Sequence, residues 1–125
     1  MPIRTRSSED VAALTDRELG TLTDAVLERK AREPVLLDLR GISDATDYFL
    51  IATGDSDTHT RAIADHVVER MKSLGVRPAG VEGRSAAGWI LLDYIGVIVH
   101  IFLPRYREFY QLESLWGDAP ARALE

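Results

Sequence analysis

Residues 88–103 (GWILLDYIGVIVHIFL) hold two strongly β-prone runs separated only by Ile95-Gly96, and that spacing constrains the fold more than any other stretch. A two-residue connector points to an antiparallel hairpin. It would pair Tyr94 with Val97, Leu91 with His100 and Trp89 with Phe102. Side chains alternate across a strand, so each face of the hairpin can be written down. One face collects Ile90, Leu92, Tyr94, Val97, Val99 and Ile101, nearly pure aliphatic, and reads as core. The other collects Trp89, Leu91, Asp93, Ile98, His100 and Phe102. Aromatics beside a carboxylate and an imidazole have the make-up of a recognition surface. Favoured two-residue turns want Gly or Asn first, and Ile95 is a poor occupant of that position. The clean segregation of the faces is therefore what supports the register, since a one-residue slip would mix them.

Elements on either side follow from periodicity and breakers. From about Asp16 to Arg32, apolar residues fall at Leu19, Leu22, Val26 and Leu27, near helical spacing, and Glu33-Pro34 is expected to stop the helix. Val35 to Leu39 and Asp47 to Thr53 read as strands, the second apolar on both faces like an interior one. Gly54-Asp55-Ser56-Asp57 offers helix N-cap chemistry, through Ser56 or Asp57, to a helix from about Asp57 to Leu74. Its stripe is Ile63, Val67, Met71 and Leu74, and Gly75 ends it. A short strand is expected around Ala79 to Glu82. Pro104 opens a final helical stretch whose apolar side is Tyr106, Phe109, Tyr110, Leu112, Leu115 and Trp116. The order α-β-β-α-β-β-β-α predicts an α+β fold with a mixed five-stranded sheet and flanking helices. Residues 1–15 read as a mobile leader, 16–118 as the domain and 119–125 as a tail.

Several chemistries lack their residues. There is no cysteine for a disulfide or a thiolate metal site, and no apolar run approaches the roughly 18 residues that a membrane span needs. Met1 to Asp10 lacks the apolar core of a secretory signal, so a cytoplasmic location and no membrane partner are expected. His59 and His66 sit seven apart on one helix, but no third ligand with metal-site spacing accompanies them. Gly54-Asp55-Ser56 precedes a helix as a phosphate turn would, yet Asp55 and Asp57 would repel phosphate and neither nucleotide-loop pattern is present. Asp38, Asp44, Asp47, Glu82 and Asp93 do not fall as carboxylate pairs on one strand, which a two-metal phosphoryl-transfer site wants. No serine has a nucleophile-elbow setting. These features predict no metal, no cofactor and no catalysis. The net charge of −5 comes from 20 acids and 15 bases, with Lys30 and Lys72 the only lysines. Little direct RNA contact is expected, because phosphate neutralisation needs a basic patch. Trp116, Tyr94 and Tyr110 fit plain core positions; Trp89, opposite the aliphatic face, is the aromatic favoured for function.

Six stretches, in order, resemble the ribosomal silencing factor family, also called the Iojap-related proteins. They are SDATDYFLIATG (43–54), SDTHTRAIAD (56–65), Glu82-Gly83, GWILLDY (88–94), VHIF (99–102) and REFYQLESLWGD (107–118). The resemblance implies a fold related to nucleotidyltransferases without their activity. It also implies a partner, ribosomal protein L-fourteen of the large subunit, on the face that meets the small subunit. Occupancy there would block subunit joining and lower translation when nutrients are scarce. The contact surface it implies is Trp89, Leu91, Asp93 and His100, with Tyr94 and Phe102 in the same motif and Arg107, Tyr110 and Trp116 in its continuation. Ile95-Gly96 departs from the glycine that usually follows the Asp-Tyr pair, which puts the turn in question. Two alternatives stay open: a nucleotide-binding or nucleotidyltransferase enzyme on the same fold, and a homodimer of the free protein that uses its aromatic face.

Overall fold

A computed structural model describes residues 15–124. The expected leader, apart from Thr15, lies outside the described residues. Thr15 caps the first helix, α1 (Asp16–Glu28), reciprocally: its hydroxyl accepts from the Glu18 N–H at 3.1 Å and the Glu18 carboxylate accepts from the Thr15 N–H at 2.9 Å. Two otherwise orphaned donors are thereby satisfied. The helix ends at Glu28 rather than running on to Arg32, because Lys30 takes a φ of 58° and turns the chain into β1 (Arg32–Asp38). Glu33-Pro34 therefore lies inside a strand. Glu33 has a φ of 48°, and the register against β2 (Tyr48–Thr53) shifts between Arg32 and Val35. Such a bulge accommodates a proline that cannot donate to the ladder.

Ser56 is the cap of α2 (Asp57–Lys72), its hydroxyl accepting from the His59 N–H at 3.1 Å. The two helices are clasped by polar side chains. His59 Nδ1 accepts from the Asp55 N–H, so its Nε2–H donates to the Arg29 carbonyl at 2.8 Å. His66 and Arg70 both hydrogen-bond the Glu28 carboxylate, and together they hold it below the usual carboxylate range.

After α2 come β3 (Gly80–Glu82), β4 (Trp89–Asp93), β5 (Val97–Phe102), α3 (Pro104–Tyr110), α4 (Leu112–Leu115) and β6 (Ala121–Ala123). One mixed sheet has the order β3-β4-β5-β2-β1-β6, with β2 and β5 parallel and the other neighbours antiparallel. The α+β class and the mixed sheet agree with the sequence reading, but the described residues form six strands and not five. The segment set aside as a tail supplies the sixth, pairing Ala121 to Ala123 against Leu37 to Val35, and Ala119 is buried beside it.

The hairpin register is as expected: Trp89 faces Phe102 and Leu91 faces His100. Ile95 tolerates the turn by taking a φ of 72°. The Asp93 carboxylate accepts from its N–H at 2.8 Å, and the Gly96 N–H donates to the Tyr94 carbonyl. All six residues of the aliphatic face are buried under α1 and α2, in a core that includes Leu22, Val26, Ile63, Val67 and Met71. A second, smaller core lies on the sheet's other side. Leu37, Leu39, Ile51, Phe102 and Ala119 form its centre, and α3 and α4 cover it with Tyr106, Leu112 and Trp116.

Candidate protein-docking face

The second hairpin face carries a chain of touching rings. Phe49 on β2 meets Trp116 edge-on at 5.8 Å and His100 at 4.5 Å. His100 stacks on Phe102 at 6.2 Å, Trp89 lies 5.0 Å from Phe102, and Tyr110 of α3 lies 4.7 Å from Trp89. Phe109 then meets Tyr110 edge-on at 5.1 Å. Each contact is in the range where aromatic pairs gain beyond simple burial. Two glycines permit close approaches here, Gly88 to α3 and Gly83 to the β4 backbone. A Cβ on Gly88 would come within 2.6 Å of the Tyr106 ring, and one on Gly83, whose φ is +81°, within 2.0 Å of the Trp89 carbonyl oxygen.

His100 is 3% exposed. The Trp89 indole N–H donates to its Nδ1 at 3.0 Å, which fixes the proton on Nε2. That Nε2 is buried with no hydrogen-bond partner among the described residues. Burial pushes the imidazole pKa down to about 3, so the ring is a neutral structural acceptor at physiological pH. Trp89→Phe keeps the ring stack but strips Nδ1 of its donor. We expect it to cost about 1–2 kcal/mol in a urea melt, the penalty of one unsatisfied buried acceptor; a melt superimposable on the parent's would mean the bond contributes nothing.

The expected contact residues therefore divide. Trp89, Leu91 and Asp93 are half-buried and Tyr110 is exposed. Tyr94, His100 and Phe102 are corrected to interior positions. Tyr94 lies in the aliphatic core, where burial pushes its hydroxyl up to about 12; Phe102 lies in the second core, and His100 is packed among Phe49, Trp89 and Phe102. Arg107 is enclosed too, its side chain 12% exposed. Asp93 is engaged in its own turn. The sequence reading placed Phe109 and Leu115 on the apolar side of a single helix, yet they are 79% and 73% exposed. The signal for this was present. Phe109 and Tyr110 are adjacent, and adjacent helical positions do not share a face. With Tyr110 leaning on Trp89, Phe109 points elsewhere.

A family model described as "Ribosomal silencing factor during starvation" matches residues 13–125. The chain belongs to the ribosomal silencing factor family. It is 39% identical over 113 residues to the ribosomal silencing factor RsfS of Halalkalibacterium halodurans, covering 90% of this chain and 97% of the relative. A crystal structure of a Chromobacterium violaceum protein superposes with a TM-score of 0.78 at 32% identity, covering 83% of this chain and 88% of that one. A more distant relative is the "Mitochondrial assembly of ribosomal large subunit protein 1" of Mus musculus, 30% identical over 79% of this chain and 45% of its own length. The match to the silencing factors includes the C-terminal segment, in keeping with the strand that this segment forms.

Proposed function

We propose that this chain is a non-catalytic cytoplasmic repressor of translation that docks on the large ribosomal subunit through ribosomal protein L-fourteen. Occupying that site, it obstructs joining by the small subunit when nutrients are scarce. The observation that carries this reading is an apolar ridge on a chain of the silencing-factor family: Tyr110 leans on the half-buried Trp89, Phe109 stands exposed against Tyr110, and Leu115 is exposed on α4. Large apolar side chains clustered on a surface mark partner sites. The printed name of the mouse relative, which speaks of the large subunit, supports the same side of the ribosome. An acidic protein facing a basic ribosomal protein is favoured electrostatically over one gripping RNA. Steric exclusion needs no reaction.

The test is sedimentation of the purified protein with separated subunits. Co-migration with large subunits alone is expected, together with reduced formation of whole ribosomes. Phe109→Ala and Leu115→Ala should each leave the melt within about 0.5 kcal/mol of the parent, because both side chains already face water. Each should weaken binding by about 30-fold or more, as truncating an interface anchor does. Parent-like binding of both would remove the ridge from the interface. Migration with small subunits, or with neither, would remove the reading itself. A free homodimer through the ridge would show as concentration-dependent light scattering that Phe109→Ala abolishes.

A further inference from the structure

Helices α3 and α4 have seven and four residues, and neither contains a fully buried residue. Helices so short do not hold their own geometry. No side-chain cap fixes them either. Leu103 and Gln111 serve as N-caps without a side-chain bond, and Gln111, which joins the two helices, sits in the left-handed region at a φ of 47°. Tyr106, Leu112 and Trp116 press both helices on the second core. Such contacts are non-directional and do not set the angle between two short rods.

One side chain ties all three parts together. Arg107 of α3 reaches across the Gln111 joint and grips the Glu113 carboxylate of α4 with two nitrogens, Nε to Oε1 at 3.0 Å and Nη2 to Oε2 at 3.2 Å. Its remaining nitrogen, Nη1, donates to Thr53 Oγ1 at 2.9 Å, at the end of β2. A planar guanidinium fork with both carboxylate oxygens engaged is directional in a way that a lysine or an apolar contact is not. Phe109 follows Arg107 by two positions, and Leu115 follows Glu113 by two. These are the two most exposed large apolar side chains among the described residues.

We infer that Arg107 is a positioning residue: through Glu113 and Thr53 it fixes α3 against α4, and with them the placement of the exposed Phe109 and Leu115 for docking, and it does not itself touch the partner. This rests on the proposed docking function and deepens it. The resemblance had placed Arg107 among the contacts, whereas the fork is turned inward and already used.

The experiment combines amide hydrogen exchange with a double-mutant cycle on purified large ribosomal subunits. Arg107→Ala should speed exchange at 111–116 while β4 and β5 stay protected, and it should weaken binding about tenfold, the scale of effects transmitted without contact. Arg107→Lys, which keeps the charge and loses the fork, should not restore either. The decisive arm is Leu115→Ala with Arg107→Ala. If Arg107 acts by placing Leu115, its loss should matter far less once Leu115 is gone. Independent effects that simply multiply, with exchange at 111–116 unmoved, would make Arg107 a direct contact and overturn the inference, as would parent-like binding by Arg107→Ala. Should the parent itself fail to bind large subunits, the functional reading falls. The exchange data then judge the fork by itself, and unchanged protection at 111–116 would refute it there too.

Discussion

Phe102→Ala should remove about 3–5 kcal/mol of folding stability, the range for emptying a buried phenylalanine site. Phe102 is 1% exposed, flanked by Trp89 and His100, and its carbonyl accepts the Gly54 N–H at 2.9 Å. It ends β5, two residues before α3 begins, so the cavity would open beneath the helix that covers it. Total stabilities of such domains are about 5–15 kcal/mol, so this loss is a large fraction of the whole. In urea the midpoint should fall with little change in slope. Phe109→Ala, seven residues along, should melt like the parent. If Phe102→Ala instead melted like the parent and lost only ribosome binding, Phe102 would be a surface contact and the second core would not exist as described. Reduced binding by Phe102→Ala has meaning only after this loss of fold is subtracted.

The contrast between Phe102 and Phe109 marks how far the sequence could be read. Alternation alone placed Tyr94, Val99 and Ile101 in the core and fixed Trp89 opposite Phe102, since a period of two leaves one consistent register. The same alternation showed that Trp89, His100 and Phe102 share a face, but not what covers that face. Cover depends on where α3 and α4 fold back. That return hinges on Gln111, a residue with none of the glycine or proline signal that announces a break. The sixth strand was illegible for a related reason. Ala121 to Ala123 is exposed throughout, and its pairing with β1 is made by backbone, which leaves no hydrophobic pattern. The Glu33 bulge misled differently. A proline that usually ends helices sits here in a strand whose register has already slipped to receive it. On the hairpin face foreseen as a recognition surface, His100 and Phe102 are buried, while Phe109 and Tyr110 of α3 stand exposed outside them. Rings expected to meet a partner support the rings that are free to do so.

Acid should destabilise this protein earlier than its carboxylates alone would dictate, and His100 is the reason. Its folded pKa is depressed by burial to about 3, against 6.5 for the free side chain. Above pH 6.5 the imidazole is neutral in both states and the contribution is fully present. As pH falls from 6.5 towards 3 the unfolded chain takes up a proton that the folded protein refuses, so unfolding is favoured by up to about 1.4 kcal/mol per pH unit. Across the window the loss is roughly 3–5 kcal/mol, comparable to the Phe102 cavity. Carboxyls lowered by arginine partners, Asp38 by Arg40 and Asp65 by Arg84, add their own losses only lower down, as they protonate. Urea midpoints measured from pH 7.5 to 4.5 should therefore decline steadily in the parent. His100→Gln offers an amide oxygen to the Trp89 N–H and does not titrate, so it should show a shallower decline from a lower starting stability, and the difference in slope isolates this one proton. Parallel slopes would mean that His100 is hydrated and titrates in the folded protein. The layer formed by Phe49, Trp116, α3 and α4 would then not exclude water, and the residue would return to the surface where the resemblance first placed it.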